Sequence, residues 1–453
     1  MSRMPRSTRQ PHATRGLAIV VVIWAVAISG LLSASLLVFA GRLSMQGTEA
    51  QDRIAARWAA RSGIEATIAK MAEISTFPEP DDALLLYLQL ETDGVASGDT
   101  KGGSWRIRHY ADRMEWRGPM DEHSKININD EDLRPYINIL FYPLAFGLYD
   151  SITDWLDEDD EPSALGVERD WYLSLDARYE PRNGPIRHIA EMELIAGLES
   201  EDIRGEDWNL NFQLDLSEDD GEQTLPYDEP DHVLDAGWSE YLTARTRGGG
   251  PTGSGLPRLW LKSATVNDLI TRMDLPAEKA QDLISRAMDD NFKLTDLVAE
   301  NQPADLIRQS RFSTQPASPD DDTITFTRDE VTWILQETGL KPQHRPTWGK
   351  ININKAPSTL LYDVFQDEER IVDDILSMRA SQAQGITSLM DLWYLPNMDE
   401  QLMSRLLTMF TTQSNVFTIT SRGKSGGSQQ EVEIIAVVDR STIPIQILEY
   451  REN

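Results

Sequence analysis

LAIVVVIWAVAISGLLSASLLVFA, residues 17–40, is a run of 24 residues without a charge. It follows directly on Thr14-Arg15-Gly16 and continues into a charged segment with helical spacing. At about 1.5 Å per residue such a helix is roughly 36 Å long, enough to cross a hydrocarbon core of about 30 Å with some tilt. One membrane-spanning helix is the economical reading. Beyond Ala40 the pattern turns amphipathic, with Ile54, Trp58, Ile64, Ile68 and Met71 on one stripe and Arg53, Arg57, Arg61 and Glu65 on the other faces. The spacing predicts one continuous helix from Leu17 to about Ala72.

The leader before it, residues 1–16, carries Arg3, Arg6, Arg9 and Arg15 and no acid. Positive charge is retained on the cytoplasmic side, so the expected topology is N-in, with the bulk of the chain across the membrane. An ordinary secretory signal places its small residue beyond the apolar core, whereas here Gly16 precedes it. The arrangement resembles a type IV prepilin leader, in which the peptidase cuts after the glycine, between Gly16 and Leu17, and leaves the apolar segment in place. A plain uncleaved anchor is the alternative. Pilins usually carry glutamate at the fifth mature position, and this chain has Val21 there. A carboxylate in lipid is kept only where it has a partner, so its absence fits a subunit with no neighbour above it.

Composition narrows the function classes. The chain has 453 residues, 74 acidic against 43 basic side chains, and a net charge of −31, which repels nucleic acid and anionic lipid. It has no cysteine, so disulfides, thiolate metal sites and cysteine nucleophiles are excluded. The six histidines are scattered without paired metal spacing, and neither a G-x-S-x-G elbow nor a Gly-rich phosphate loop opening a helix is present. The expectation is a protein without catalytic activity.

Residues 105–110 and 114–116 read as two strands, and 416–420, 432–438 and 443–450 read as three more, with a turn at Gly423–Ser428. Strands at both ends, with helical sequence between, predict one sheet interrupted by a large insertion. Inside the insertion Lys125-Ile126-Asn127-Ile128-Asn129 recurs as Lys350-Ile351-Asn352-Ile353-Asn354, with Arg258-Leu259-Trp260-Leu261-Lys262 as a blurred third copy. Alternating Ile and Asn predict a short extended piece with one buried face, the last Asn capping the following helix. Such copies mark nested domain starts. Apolar spacing after Asn354 predicts four or five short helices, and Gly248–Pro257 reads as a linker or long loop.

Asp154, Asp157, Asp159, Asp160 and Glu161 place five carboxylates within eight residues, beside Trp155 and Leu156. Hard oxygen ligands at this density suit Ca²⁺, although the spacing is not that of an EF-hand, and a solvated acidic turn has the same composition. A second acidic run, Glu218-Asp219-Asp220-Gly221-Glu222, reads more simply as solvated.

The segment Ile152-Thr153-Asp154-Trp155-Leu156-Asp157-Glu158-Asp159-Asp160-Glu161-Pro162, then Trp171-Tyr172-Leu173-Ser174-Leu175, Pro185 to Gly197 and the paired K-I-N-I-N element, closely resembles the minor pseudopilin K family of type II secretion systems. The resemblance runs over nearly the whole chain, including Ile447 to Glu452, and is faintest over about 199–349. It implies an α+β fold: a long N-terminal helix (17–72), a pilin-like antiparallel sheet (104–118 and 415–453), and a mainly helical insertion. Two SAM-like helical subdomains (119–247 and 350–414) are expected there, separated by an enlarged middle section (248–349). It further implies a single-pass inner-membrane protein with a periplasmic bulk, Leu17 methylated after cleavage, and calcium held in the first helical region. The expected partners are the other minor pseudopilins, the major pseudopilin, the prepilin peptidase and the inner-membrane secretion platform. The expected role is at the tip of the pseudopilus, initiating or capping the filament that drives export across the outer membrane. Two rival readings remain. The start of the second K-I-N-I-N copy also resembles a helix-hairpin-helix module of a membrane-tethered, competence-type DNA-binding protein, but Phe365-Gln366-Asp367-Glu368-Glu369 has three carboxylates where that module needs a glycine hairpin. A minor pilin of a type IV pilus would share the leader and helix without predicting the helical insertion.

Overall fold

In a computed structural model the described residues are 15–79, 81–141, 147–249, 252, 256, 258–299, 324–340 and 347–452. Most of the leader, residues 1–14, lies outside them, as do 250, 251, 253–255 and 257 of the Gly/Pro-rich linker.

A single helix, α1 (Arg15–Thr76), joins the apolar run to the amphipathic stripe. No proline interrupts it, so nothing breaks the hydrogen-bond ladder at the change of character. Residues 19–51 of it are exposed throughout, Val21 included. Its second half packs on the main sheet. After a short helix α2 (Leu85–Leu90) come β1 (Ser97–Thr100), β2 (Gly103–Ala111), β3 (Met114–Arg117) and β4 (Met120–Asp121). The insertion holds the two-residue strands β5 (Ile126–Asn127), β6 (Leu242–Thr243), β7 (Leu259–Trp260), β8 (Thr338–Gly339), β9 (Ile351–Asn352) and β10 (Phe410–Thr411). The chain then returns through β11 (Val416–Ser425), β12 (Glu431–Asp439) and β13 (Gln446–Glu452). The sheet runs β1-β2-β11-β12-β13, antiparallel throughout, with β3 beside β2 and β4 beside β11. It is mixed helix and antiparallel sheet, split by the insertion.

Two boundaries differ from expectation. β11 continues through Gly423 to Ser425, and the turn falls at Gly426–Ser428. Gly423 serves a close approach to the helix, since a Cβ there would lie 2.0 Å from the Ala56 carbonyl oxygen and 2.3 Å from the Ala60 nitrogen. The last strand starts at Gln446, three residues later than the apolar pattern implies.

The sheet is covered on both faces. Toward α1 it presents Ile107, Phe417, Ile419, Val432, Ile434, Ala436 and Val438, against Ala56, Ala60, Ile64 and Met71. The alternate residues of β11 turn to the insertion: the Thr418 hydroxyl donates to Glu122, Thr420 donates to the Asn211 carbonyl (3.0 Å), and Arg422 pairs with Asp215 and with Glu433 (2.7 Å). This second face is polar because it is an internal joint rather than an apolar core.

The insertion is organised by its three copies. Each supplies a two-residue strand that pairs in parallel with a strand at the end of the same unit: β5 with β6, β7 with β8, β9 with β10. Parallel neighbours need a long crossover, and the helical material of each unit is that crossover. The leading cation is reused as well. Lys125 donates to the Ser239 carbonyl (2.7 Å), Arg258 to Leu335 (3.1 Å) and Lys350 to Leu407, in every case three residues before the returning strand. The middle section is therefore a third unit, with helices at Val266–Met273, Ala277–Ala287, Asp296–Ala299 and Arg328–Glu337. Two helical units were expected. The third was obscured because Trp260 and Lys262 replace both asparagines.

Both Ile and Asn of the repeat are buried, so the expectation of one buried face fails. Nor does the last Asn cap a helix. Asn129 accepts from Ile186 N (2.7 Å) and donates to Ile186 O (3.0 Å); Asn354 does the same with Ile386 (2.8 and 3.0 Å). Each amide stands in for a strand partner, tying the entry strand to the segment before a 3-10 turn, Ile189–Leu194 or Leu389–Tyr394. The last unit has three α-helices, Ser358–Val364, Glu369–Ser381 and Glu400–Met409, plus that turn. One continuous apolar core runs from Ile126 to Phe410 through all three units.

Candidate metal centre

The helix Leu148–Leu156 ends on Asp157, and the chain folds back over it before the helix Arg169–Ser174. The return is held by backbone donors. Ser163 N lies 3.1 Å from both oxygens of Asp154, and Leu165 N donates to Asp150 (3.0 Å). Gly166 is required at the closest point, because a Cβ there would come within 2.0 Å of Asp154 Oδ2. The floor is aromatic: Trp155 meets Tyr172 edge to face at 5.3 Å, and Tyr179 packs on both.

This reversal brings Asp154, Asp157 and Glu168 together, with one carboxylate oxygen of each lying within 4.8 Å of the others. Asp154 is fully buried and Glu168 nearly so. Asp157 Oδ1 and both Glu168 oxygens are buried without a hydrogen-bond donor, and so is Asn183 Oδ1 from the adjoining loop. Burial, then the charges of Asp154 and Asp157, push Glu168 up to about 7. Burial first, then Asp159 and Asp154, raise Asp157. Orphaned acceptors crowded by like charge are the electrostatic complement of a hard cation.

The sequence-identified ligands divide. Asp154 and Asp157 enter the cluster, whereas Asp159, Asp160 and Glu161 stand on the exposed outer loop. There Asp159 accepts from Glu161 N (2.9 Å), and Asp160 from Asn183 (3.1 Å). Glu168 was missed by sequence reasoning. It lies eleven residues past Asp157, and only the reversal at Gly166 brings it back. The second acidic run is satisfied internally: Glu218 accepts from Trp208 N and Asp215 N, Asp219 from His232 N, and Asp220 from Thr224. Gly16 and Leu17 fall in the first turn of α1, and their side chains lie outside the described ones.

One long N-terminal helix, apolar and long enough in its first part to cross a membrane, is laid along an antiparallel sheet split by a helical insertion. Residues 143–205, which contain the carboxylate cluster, match the family model described as type II secretion system (T2SS), protein K. A curated relative, type II secretion system protein K of Klebsiella pneumoniae, is 21% identical over 206 residues. That match spans 42% of this chain and 60% of the relative. Among solved structures the chain is similar to one from the GspK-GspI-GspJ complex of the enterotoxigenic Escherichia coli type 2 secretion system, at 12% identity and a TM-score of 0.37, covering 91% of this chain and 99% of that one.

Proposed function

We propose that this protein is a minor pseudopilin at the tip of the type II secretion pseudopilus, anchored once in the inner membrane with its head in the periplasm. The observation that carries the reading is the combination of an uncharged run in α1, residues 17–40 with Val21 included, with a head enlarged by three inserted units. Ordinary subunits pair a buried glutamate with the amino terminus above. A chain without that glutamate tolerates a place with nothing above it, and a head this bulky suits an end better than a close-packed shaft. Initiating or capping the filament, with other minor pseudopilins packed along α1 and the major pseudopilin below, follows. The prepilin peptidase would cut between Gly16 and Leu17 and methylate Leu17, and the inner-membrane secretion platform would assemble the filament. The protein itself is assigned no catalysis and no nucleic-acid binding; Asp367, Glu368 and Glu369 at the hairpin that would face phosphate support this.

Cysteines placed along the exposed face of α1, for example at Ile54 and Trp58, are expected to cross-link to other minor pseudopilins in assembled secretion systems. The mass of the captured protein should start at a methylated Leu17. Labelled protein spread evenly along the shaft, or an intact Met1, would overturn the reading.

Within the head, Asp154, Asp157 and Glu168 would bind one Ca²⁺. A ligand that binds only the folded state stabilises it by about 2.7 kcal/mol at a hundredfold excess over Kd. Calcium is therefore expected to raise the melting temperature over chelator in the wild type and much less in Asp157→Ala or Glu168→Gln. Equal melts with and without calcium for all three would remove the site.

A further inference from the structure

The C-terminal strand β13 bonds β12 along one side and forms an edge of the sheet, with no described strand on its other side. Ile447 and Tyr450 on it are 52% and 46% exposed. An open edge is a row of unpaired N–H and C=O groups, and proteins normally blunt it with lysine, proline or a cover. β13 contains neither residue; it carries Glu449, Arg451 and Glu452 and a one-residue register shift at Leu448.

Beside this edge lies a cleft of about 650 Å³ whose lining includes Leu448 and Glu449 of β13 together with Arg182, Arg187, Arg245 and Arg247. Four arginines in one cleft are unexpected in a chain of net charge −31. Arg182 is paired with Glu191, Arg245 with Glu449, and Arg247 with Asp439 at 3.4 Å. Arg187 is exposed, and among the described residues no carboxylate pairs with it. The bound acids already neutralise three of the guanidinium groups, so the cleft keeps one uncompensated cation beside an unpaired backbone edge. The neighbouring His188 is held down to about 4, by burial first and then by Arg245 and Arg451.

An open edge selects an extended chain, because only a strand spaces its own N–H and C=O groups to match. The adjoining cation selects acid, and the exposed Ile447 and Tyr450 select apolar residues at alternate positions. We propose that the free edge of β13 and the adjoining arginine cleft receive an extended acidic segment of a partner protein as an added strand. This docking is independent of packing along α1 and stands or falls separately from the tip assignment.

The test uses the full-length protein in detergent and a fluorescein-labelled peptide of alternating Glu and Val, with alternating Lys and Val as its control. The Glu peptide should bind, the Lys peptide should not, and amide exchange across Gln446–Glu452 should slow in the complex. Arg187→Glu should weaken binding about tenfold, and more steeply at low salt, whereas Arg187→Lys should retain it. Thermal melts of both variants should match the wild type, since Arg187 is exposed. Absence of binding, binding without slowed exchange over 446–452, equal affinity for the Lys peptide, or an unaffected Arg187→Glu would each overturn the proposal.

Discussion

Asn354 satisfies both backbone groups of Ile386 in a site closed to water, and Asn129 does so for Ile186. Removing the amide orphans a buried donor and a buried acceptor, each worth about 1–3 kcal/mol. Asn354→Ala should therefore lower the melting temperature of the head by several degrees, and Asn354→Asp should be nearly as damaging because it loses the donor. A melt unchanged in both variants would show that the pairing carries no stability. Alternating Ile and Asn in the sequence announce a short extended piece, but the asparagine's partner lies 57 residues away in one copy and 32 in the other. A helix cap is the local use of such a side chain, and local patterning favours that reading. Glu168 was hidden for the same reason: a carboxylate is recognised from its neighbours in sequence, and its neighbours in space arrive through a loop.

The contact between α1 and β11 is set by small residues on both sides. A Cβ at Gly423 would strike the backbone of Ala56 and Ala60, and one at Gly63 would lie 2.5 Å from Ser421 Oγ. Backbone cannot swing aside as a long side chain can, so overpacking here separates helix from sheet. Gly423→Val should destabilise the head by about 1–3 kcal/mol or more. Gly426→Val is the control, since its nearest neighbour is the Gly102 carbonyl at 3.5 Å. Limited proteolysis distinguishes the two, with Gly423→Val opening the α1 junction and Gly426→Val leaving it closed. Equal protection in both would mean that the helix does not depend on this approach. The length of α1 is readable from hydrophobic period alone, but its buried stripe is only partly so: Ile64 and Met71 pack on the sheet together with Ala56 and Ala60, while Ile54 and Trp58 stay exposed. That β11 carries a glycine for the helix rather than for a turn is not readable, because glycine has the same composition signal in both settings.

Across the molecule the sheet and the insertion are joined by a buried polar hub. The Tyr87 hydroxyl on α2 and the Ser414 hydroxyl each donate to Asp121 at 2.7 Å, while Asn352 donates to both hydroxyl oxygens at 2.9 and 2.8 Å. One residue from each of four distant segments meets there, and each closes a hydrogen bond that another leaves open. The sequence by itself determined an apolar run long enough to cross a membrane, the split sheet, the absence of cysteine chemistry and the positions where the units begin. These follow from runs and periods a few residues long, whose physics is burial of one face or one span. Only the tertiary structure decided that the middle section is a third unit, that the sheet's second face is a polar joint, that Glu168 completes the carboxylate cluster and that β13 is left as an open edge. Each of these depends on which surfaces meet after the chain has crossed tens or hundreds of residues, and hydrogen-bond and charge complementarity at such meetings leaves no periodic mark along the chain.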